Sequence, residues 1–243
     1  MDGIFDRSEA LLGDAAFSRL QKARVAIFGL GGVGSWCAEA LARTGVGSFT
    51  LVDFDVVAPS NVNRQAMAFP ASVGKPKADE LARRLLSISP RARVESVPER
   101  FEAANPARFD FSSFDCVVDA IDSLDDKAEL ILAASSCAST CLFSSMGAAF
   151  RTDPLKVATA EFWKVAGDGL ARALRGRFRK SGRFPARKFQ CVYSTERPLK
   201  PQRDGVKGSL MQVTAAFGLA LASRVVRHLA PSAAGNGGEE CKM

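Results

Sequence analysis

Five residues that read as a buried strand, Arg24-Val-Ala-Ile-Phe28, run straight into Gly29-Leu-Gly31-Gly32-Val-Gly34, and an amphipathic stretch, Ser35–Arg43, comes directly after. This strand, glycine loop and helix constrain the fold more than any other feature, because a G-x-G-x-x-G loop in that context opens a nucleotide-binding βαβ unit. Gly29 permits a tight turn, Gly31 and its neighbour Gly32 let the backbone approach a phosphate-bearing ligand, and Gly34 lets helix and strand pack closely. Asp53 lies 19 residues beyond Gly34, at the end of the next apolar run, Phe49–Val52. A carboxylate there can accept hydrogen bonds from ribose hydroxyls. The loop implies a nucleotide without saying which one; NAD fits it as well as ATP.

The same alternation of short apolar runs and amphipathic stretches continues to about residue 145. Val94–Val97, Asp115–Asp119 and Thr140–Ser144 read as strands. Pro76–Ile88 reads as a helix with proline in its first turn, and Ser123 starts another through about Cys137, with Asp126 placed for a capping box. The pattern predicts an α/β, Rossmann-like fold with a mostly parallel sheet and helices on both faces. Residues 1–150 form its nucleotide-binding core. Residues 151–230 read as a basic, substrate-binding C-terminal extension of the same domain, with strands at Val157–Phe162 and Phe189–Ser194 and helices at Gly169–Lys180 and Ser209–Leu229. The opening MDGIFDRSEALLG reads as one short amphipathic helix, and the tail 231–243 is expected to be disordered.

Charge and rare residues narrow the chemistry. Residues 151–207 hold 15 Lys+Arg against 5 Asp+Glu, although the whole chain carries only +7. Such a segment suits a polyanionic partner, or else it is a solvated face. The least polar stretch, Ser209–Val226, is interrupted by Gln212, Thr214, Ser223 and Arg224, so it reads as a packed helix and not a membrane span. Six cysteines without a CxxC pair read as free thiols of a cytoplasmic protein, with Cys137 and Cys191 structural. A single histidine, His228, excludes most histidine-based chemistry, and no zinc is expected.

The choice of nucleotide turns on the residues after Asp53: Phe54-Asp55, then Ser60-Asn61-Val62-Asn63-Arg64-Gln65. An arginine eleven residues past a ribose carboxylate has no use in an NAD site. A triphosphate site needs it, because charge must be neutralised as pyrophosphate leaves. Lys75 and Lys77 flank the start of a helix, where dipole and ammonium both favour anions. Asp119-Ala-Ile-Asp122-Ser123 closes a strand at the carboxyl edge of the sheet, where ligands bind in open α/β folds. Asp122 suits Mg²⁺, a hard cation that takes carboxylate and phosphate oxygens, or it caps the next helix.

Together GLGGVGS, LVDFD, SNVNRQ, VGKPKA and DAIDS, collinear from Phe5 to Ser145, resemble the ubiquitin-activating-enzyme-like superfamily that includes ThiF, MoeB and HesA. FDRSEALLG, ARTGVG, SSMGAAFRTDP and VYSTERPLKP extend the resemblance to His228 and make the chain similar to the tRNA threonylcarbamoyladenosine dehydratase branch. The resemblance implies ribose binding by Asp53, phosphate binding by Asn61, Arg64 and Lys77, and Mg²⁺ at Asp122. Asp55, Ser123 and the four loop glycines join the implied ATP site. Arg7 resembles an arginine contributed across a homodimer interface. Two departures stand out: the paired CxxC zinc motifs of sulfur-carrier activators are missing, and Val206–Gln212 holds no cysteine, so no cysteine is assigned to catalysis.

The implied reaction activates a threonyl carboxylate with ATP, after which an internal nitrogen displaces AMP and closes a hydantoin ring. The basic stretch would then bind tRNA through Arg172, Arg175, Arg179, Lys180 and Arg183, the first three sharing one helix face. Besides tRNA and a second copy of the chain, a sulfur-transfer protein is a further candidate partner. Three other readings remain open at this level: adenylation of a Gly-Gly-tailed sulfur carrier; an NAD-dependent oxidoreductase; and a non-catalytic binding module.

Overall fold

The computed structural model describes residues 3–102 and 108–231. Seven strands form one sheet: β1 (Arg24–Phe28), β2 (Ser48–Val52), β3 (Arg93–Val97), β4 (Cys116–Asp119), β5 (Cys141–Ser145), β6 (Val157–Glu161) and β7 (Gln190–Ser194). Their order is β3-β2-β1-β4-β5-β7-β6, with every neighbouring pair parallel except β6 and β7. The helices are α1 (Asp6–Leu12), α2 (Asp14–Lys22), α3 (Gly34–Thr44), α4 (Lys77–Ile88), α5 (Leu124–Ser136), α6 (Gly169–Ser181) and α7 (Met211–Leu229).

Side chains along β1 alternate between two cores. Val25 and Ile27 join Leu41 of α3, Leu81 and Leu85 of α4, and Phe217, Leu221 and Val225 of α7 on one face. Ala26 and Phe28 face the other side, with Leu130 and Ile131 of α5 and Leu174 and Phe178 of α6. Phe28 is fully buried and packs edge-on against Phe101 and Phe109, centroids 5.5 and 5.1 Å away. Each such side chain contributes about 1.5–3 kcal/mol by leaving water, and the period-two pattern locks the register.

The sequence expectation of a Rossmann-like sheet agrees with this topology, strand by strand within two residues at each boundary. The short helix expected in the opening segment is α1, and a second helix, α2, follows Gly13 and buries Ala16, Phe17 and Leu20 against the core. One expectation changes. Residues 151–230 are not an appended extension: β7 pairs with β5, and α7 returns to pack on α3. Alternating apolar residues such as Cys191 and Val192 draw that region into the sheet, since an exposed β5 edge would leave backbone groups unpaired. The expected disorder of the tail concerns residues that, from 232 onward, lie outside those described.

Candidate active site

Strand order reverses direction between β1 and β4, and a cleft of about 680 Å³ opens at the carboxyl ends of the strands there. Such a switch point is the ligand crevice of open α/β sheets. Its floor is the glycine loop. Gly29 has φ of 85°, and a Cβ on it would lie 2.7 Å from the Ala120 carbonyl carbon. A Cβ on Gly34 would sit 1.9 Å from the Gly29 oxygen. No side chain fits at either position, so the loop turns directly into α3. Gly32 is wedged against Thr214 of α7 and the stem of Arg64, while only the Gln65 side chain comes within 4 Å of Gly31 on its Cβ side.

Asp53 at the end of β2 ties down this loop. Its Oδ2 accepts a 2.6 Å bond from the Leu30 N–H, and its Oδ1 accepts one from the Asp55 N–H at 2.9 Å. Burial raises its pKa above the ordinary carboxylate value, against the opposing pull of Lys77 and those two N–H donors. Lys77, the buried first residue of α4, donates to Asp55 Oδ2 at 2.6 Å. Asn61 is buried, with its Oδ1 accepting from the Ala58 N–H. Arg64 donates to the Ser60 carbonyl at 2.8 Å and to Asn63 Oδ1 at 3.0 Å. Partial burial lowers the Arg64 pKa, while Asp122 nearby pulls it upward.

Asp122 stands exposed at the cleft and pairs with Lys207 at 3.0 Å. Lys207 belongs to the segment before α7, where no motif singles it out in the sequence. Ser123 occupies the N-cap position of α5, but the expected capping box does not form. Its hydroxyl instead donates to Asp126 Oδ2, the same oxygen that Arg100 grips with two nitrogens. The Asp126 carboxylate is thus engaged by a charge-assisted contact from Arg100 rather than by the Ser123 backbone.

Sequence reasoning also missed the pair that fixes this corner. Asp119 and Lys127 form an ion pair of 2.8 Å with both side chains fully buried. Asp119 further accepts from Ser144 Oγ and the Ile121 N–H, and Lys127 Nζ also donates to the Ile121 carbonyl. Residues 120–123 are thereby held at the cleft. Gln65, which the sequence offers only as part of a motif, lines the cleft, is 5% exposed, and its Oε1 has no partner among the described residues. A buried acceptor left unpaired costs about 1–3 kcal/mol, which a ligand donor in the cleft would recover.

All of Gly29, Gly31, Gly32, Asp53, Asp55, Asn61, Arg64, Lys77, Asp122 and Ser123 therefore line one cleft. Gly34 supports it from behind. Arg7, exposed on α1, does not line it. Cys191 is buried, and burial holds its thiol well above the ordinary pKa; Cys137 stands apart from the cleft, with its pKa lowered by the Ser139 and Thr140 hydroxyls.

The basic row on α6 needs one correction. Arg175 does not face solvent beside Arg172 and Arg179: it donates to the Phe162 and Val165 carbonyls and lies over the Phe162 ring. The guanidinium thereby clamps the turn that leads from β6 towards α6. Arg183 reaches back to Glu129 of α5 at 2.7 Å. Arg172, Arg179 and Lys180 are exposed, with no side-chain partner among the described residues.

Among known proteins, the model of the ThiF family matches residues 5–239. The tRNA threonylcarbamoyladenosine dehydratase of Escherichia coli is 34% identical over 257 residues, covering 96% of each chain. That of Bacillus subtilis is 37% identical over 202 residues, covering 82% of this chain and 78% of the other. The crystal structure of the E. coli enzyme in complex with AMP superposes with a TM-score of 0.86 at 36% identity, over 93% of both chains. Its complex with ATP gives 0.84 at 35% identity over the same shares.

Proposed function

The chain belongs to the ThiF family, and from that premise we propose that it is an ATP-dependent tRNA threonylcarbamoyladenosine dehydratase. The observation that carries the reading is the convergence of Asp53, Asn61, Arg64, Lys77 and Asp122 on one cleft at the switch point. The full-length likeness to dehydratases selects the substrate within that chemistry. The NAD reading is not retained: the related E. coli structures hold AMP and ATP.

In the reaction, a threonyl carboxylate oxygen attacks the α-phosphorus of ATP and pyrophosphate departs. The substrate's own nitrogen then attacks the activated carbonyl and loses its proton. The bond from carbonyl carbon to AMP breaks, and the ring closes with net loss of water. Because the nucleophile is already tethered, proximity replaces a protein nucleophile, in keeping with the inert Cys191.

Asp53 would accept the ribose hydroxyls. Lys77 would exchange Asp55 for phosphate, and Arg64, loosely held by one carbonyl and one amide oxygen, would turn to the same charge. Developing negative charge in a desolvated site is where such cations act most strongly. Asp122 offers the oxygen that Mg²⁺ takes alongside phosphates, and the ion would neutralise the leaving pyrophosphate. Releasing Lys207 from Asp122 is part of forming that site. tRNA would lie along Arg172, Arg179 and Lys180.

The test is nucleoside analysis of linear and cyclic threonylcarbamoyladenosine in tRNA after incubation with the protein, ATP and Mg²⁺. Appearance of the hydantoin together with one AMP per ring is expected. Absence of cyclic product, with AMP formed only on a Gly-Gly-tailed carrier protein, would overturn the reading in favour of sulfur-carrier activation.

A further inference from the structure

The cleft extends well beyond the residues that would hold ATP. β5 lies three strands from β2 in the sheet, roughly 14 Å at the usual strand spacing. The loop that leaves β5, residues 146–151, lines that far end. Within it, Phe150 has φ of 61°, alone among the described non-glycine residues in taking a positive value. A bulky side chain in this region is an outlier, and such residues persist where their neighbours over-determine them and function requires them.

The neighbours do over-determine it. The Phe150 N–H donates to the Gly208 carbonyl at 2.8 Å, and its own carbonyl accepts from the Leu199 N–H at 2.7 Å. The next residue, Arg151, is buried and locked to Gly147, Asp168 and the Glu196 carbonyl. Position 150 is therefore held rigidly from both sides. Its ring is half-buried, lines the cleft, and has no aromatic partner among the described residues. Gly208 sits against the edge of this ring, where a Cβ would lie 3.8 Å from Phe150 Cδ1. Lys207, the residue before that glycine, lines the same cleft and supplies a cation there.

A fixed aromatic ring free of aromatic partners, in a cleft that also holds a cation, is how single unstacked bases are held, by stacking on the ring with phosphate charge neutralised nearby. We propose that Phe150 is the stacking platform for the purine of the substrate nucleotide, which enters the far end of the cleft unstacked from its own strand. The proposal rests on the dehydratase reading and deepens it by naming a substrate-positioning residue. The strained backbone is explained by the same role, because it turns the ring into the cleft.

The test uses three substitutions in the full chain. Phe150→Gly removes the ring and tolerates the backbone; it should raise KM for tRNA about 5- to 150-fold, the range spanned by single base–aromatic stacks, with KM for ATP unchanged. Phe150→Tyr should keep the wild-type KM. Phe150→Trp should show fluorescence quenching, relative to wild type with Trp36 and Trp163 alone, when an anticodon hairpin carrying the modified adenosine is added, and none with an abasic hairpin. An unchanged tRNA KM in Phe150→Gly, an equal rise in both KM values, or quenching indifferent to the base would overturn the stacking role. Because quenching needs no turnover, a wild-type protein that fails to cyclise tRNA refutes the dehydratase reading separately.

Discussion

Asp53 shows how a single carboxylate is set against itself. Burial raises its pKa above 3.8, so the folded chain holds this proton more tightly than the unfolded one. Its contribution to stability is present below 3.8 and is lost as pH rises through the folded pKa. Binding runs the other way, since only the ionised form accepts two hydroxyl bonds at full strength. ATP affinity should therefore climb with pH over the window just above 3.8 more steeply in the wild type than in Asp53→Ala. Near neutrality the variant should bind ATP roughly 10- to 150-fold more weakly, as losing hydrogen bonds to a charged group implies. Calorimetric titration at fixed Mg²⁺ reads both, and parallel curves would refute the ribose role. Asp53, Arg64, Lys77 and Asp122 were legible in the sequence because each sits at a set offset from a strand end or helix start. Lys207 and Phe150 were not: they reach the cleft from segments whose path only the packing of α7 and the loop after β5 determines.

Among the elements, the six parallel strands and their helices were legible because period-two runs such as Val25 to Phe28 leave few arrangements that bury both faces. α2 was missed because nine residues behind Gly13 carry too few turns for a clear stripe. The corner between β4 and α5 was hidden for another reason. Lys127 reads as an ordinary exposed helix residue, yet it is fully buried against Asp119, eight residues earlier. Taking either charge away leaves the other desolvated and alone. Lys127→Ala should accordingly lower unfolding free energy by about 3–5 kcal/mol, whereas Lys127→Met combined with Asp119→Asn should recover most of that loss. Urea denaturation measures it, and a cost under about 1 kcal/mol for the single change would show that the corner does not depend on the pair. The double variant separates stability from function, since it leaves Asp122 itself intact.

At the scale of the whole molecule, charge and symmetry each give a prediction. The free cations on α6 are Arg172, Arg179 and Lys180, so Arg172→Glu with Arg179→Glu should weaken tRNA binding and leave ATP affinity unchanged. The salt dependence of tRNA binding should flatten by about 0.7–0.9 for each phosphate that is no longer neutralised. Binding curves at several salt concentrations decide it; an unaltered slope makes this a solvated face. Symmetry concerns Arg7. It is exposed on α1 and absent from the cleft of its own chain. If it completes the neighbour's site, the active species is a C2 dimer whose two sites each draw on both chains. Arg7→Ala and Asp122→Ala proteins should then each be inactive alone. In a mixed dimer, the site carrying an intact Asp122 receives its Arg7 from the Asp122→Ala chain and works, while the other site lacks both groups. Random exchange makes half the dimers mixed with one working site each, so an equimolar mixture should regain roughly a quarter of wild-type activity. Exchange is verified by mass spectrometry of differently labelled chains. Full exchange without recovery would mean that Arg7 serves its own chain or none, and that the cleft is complete within one subunit.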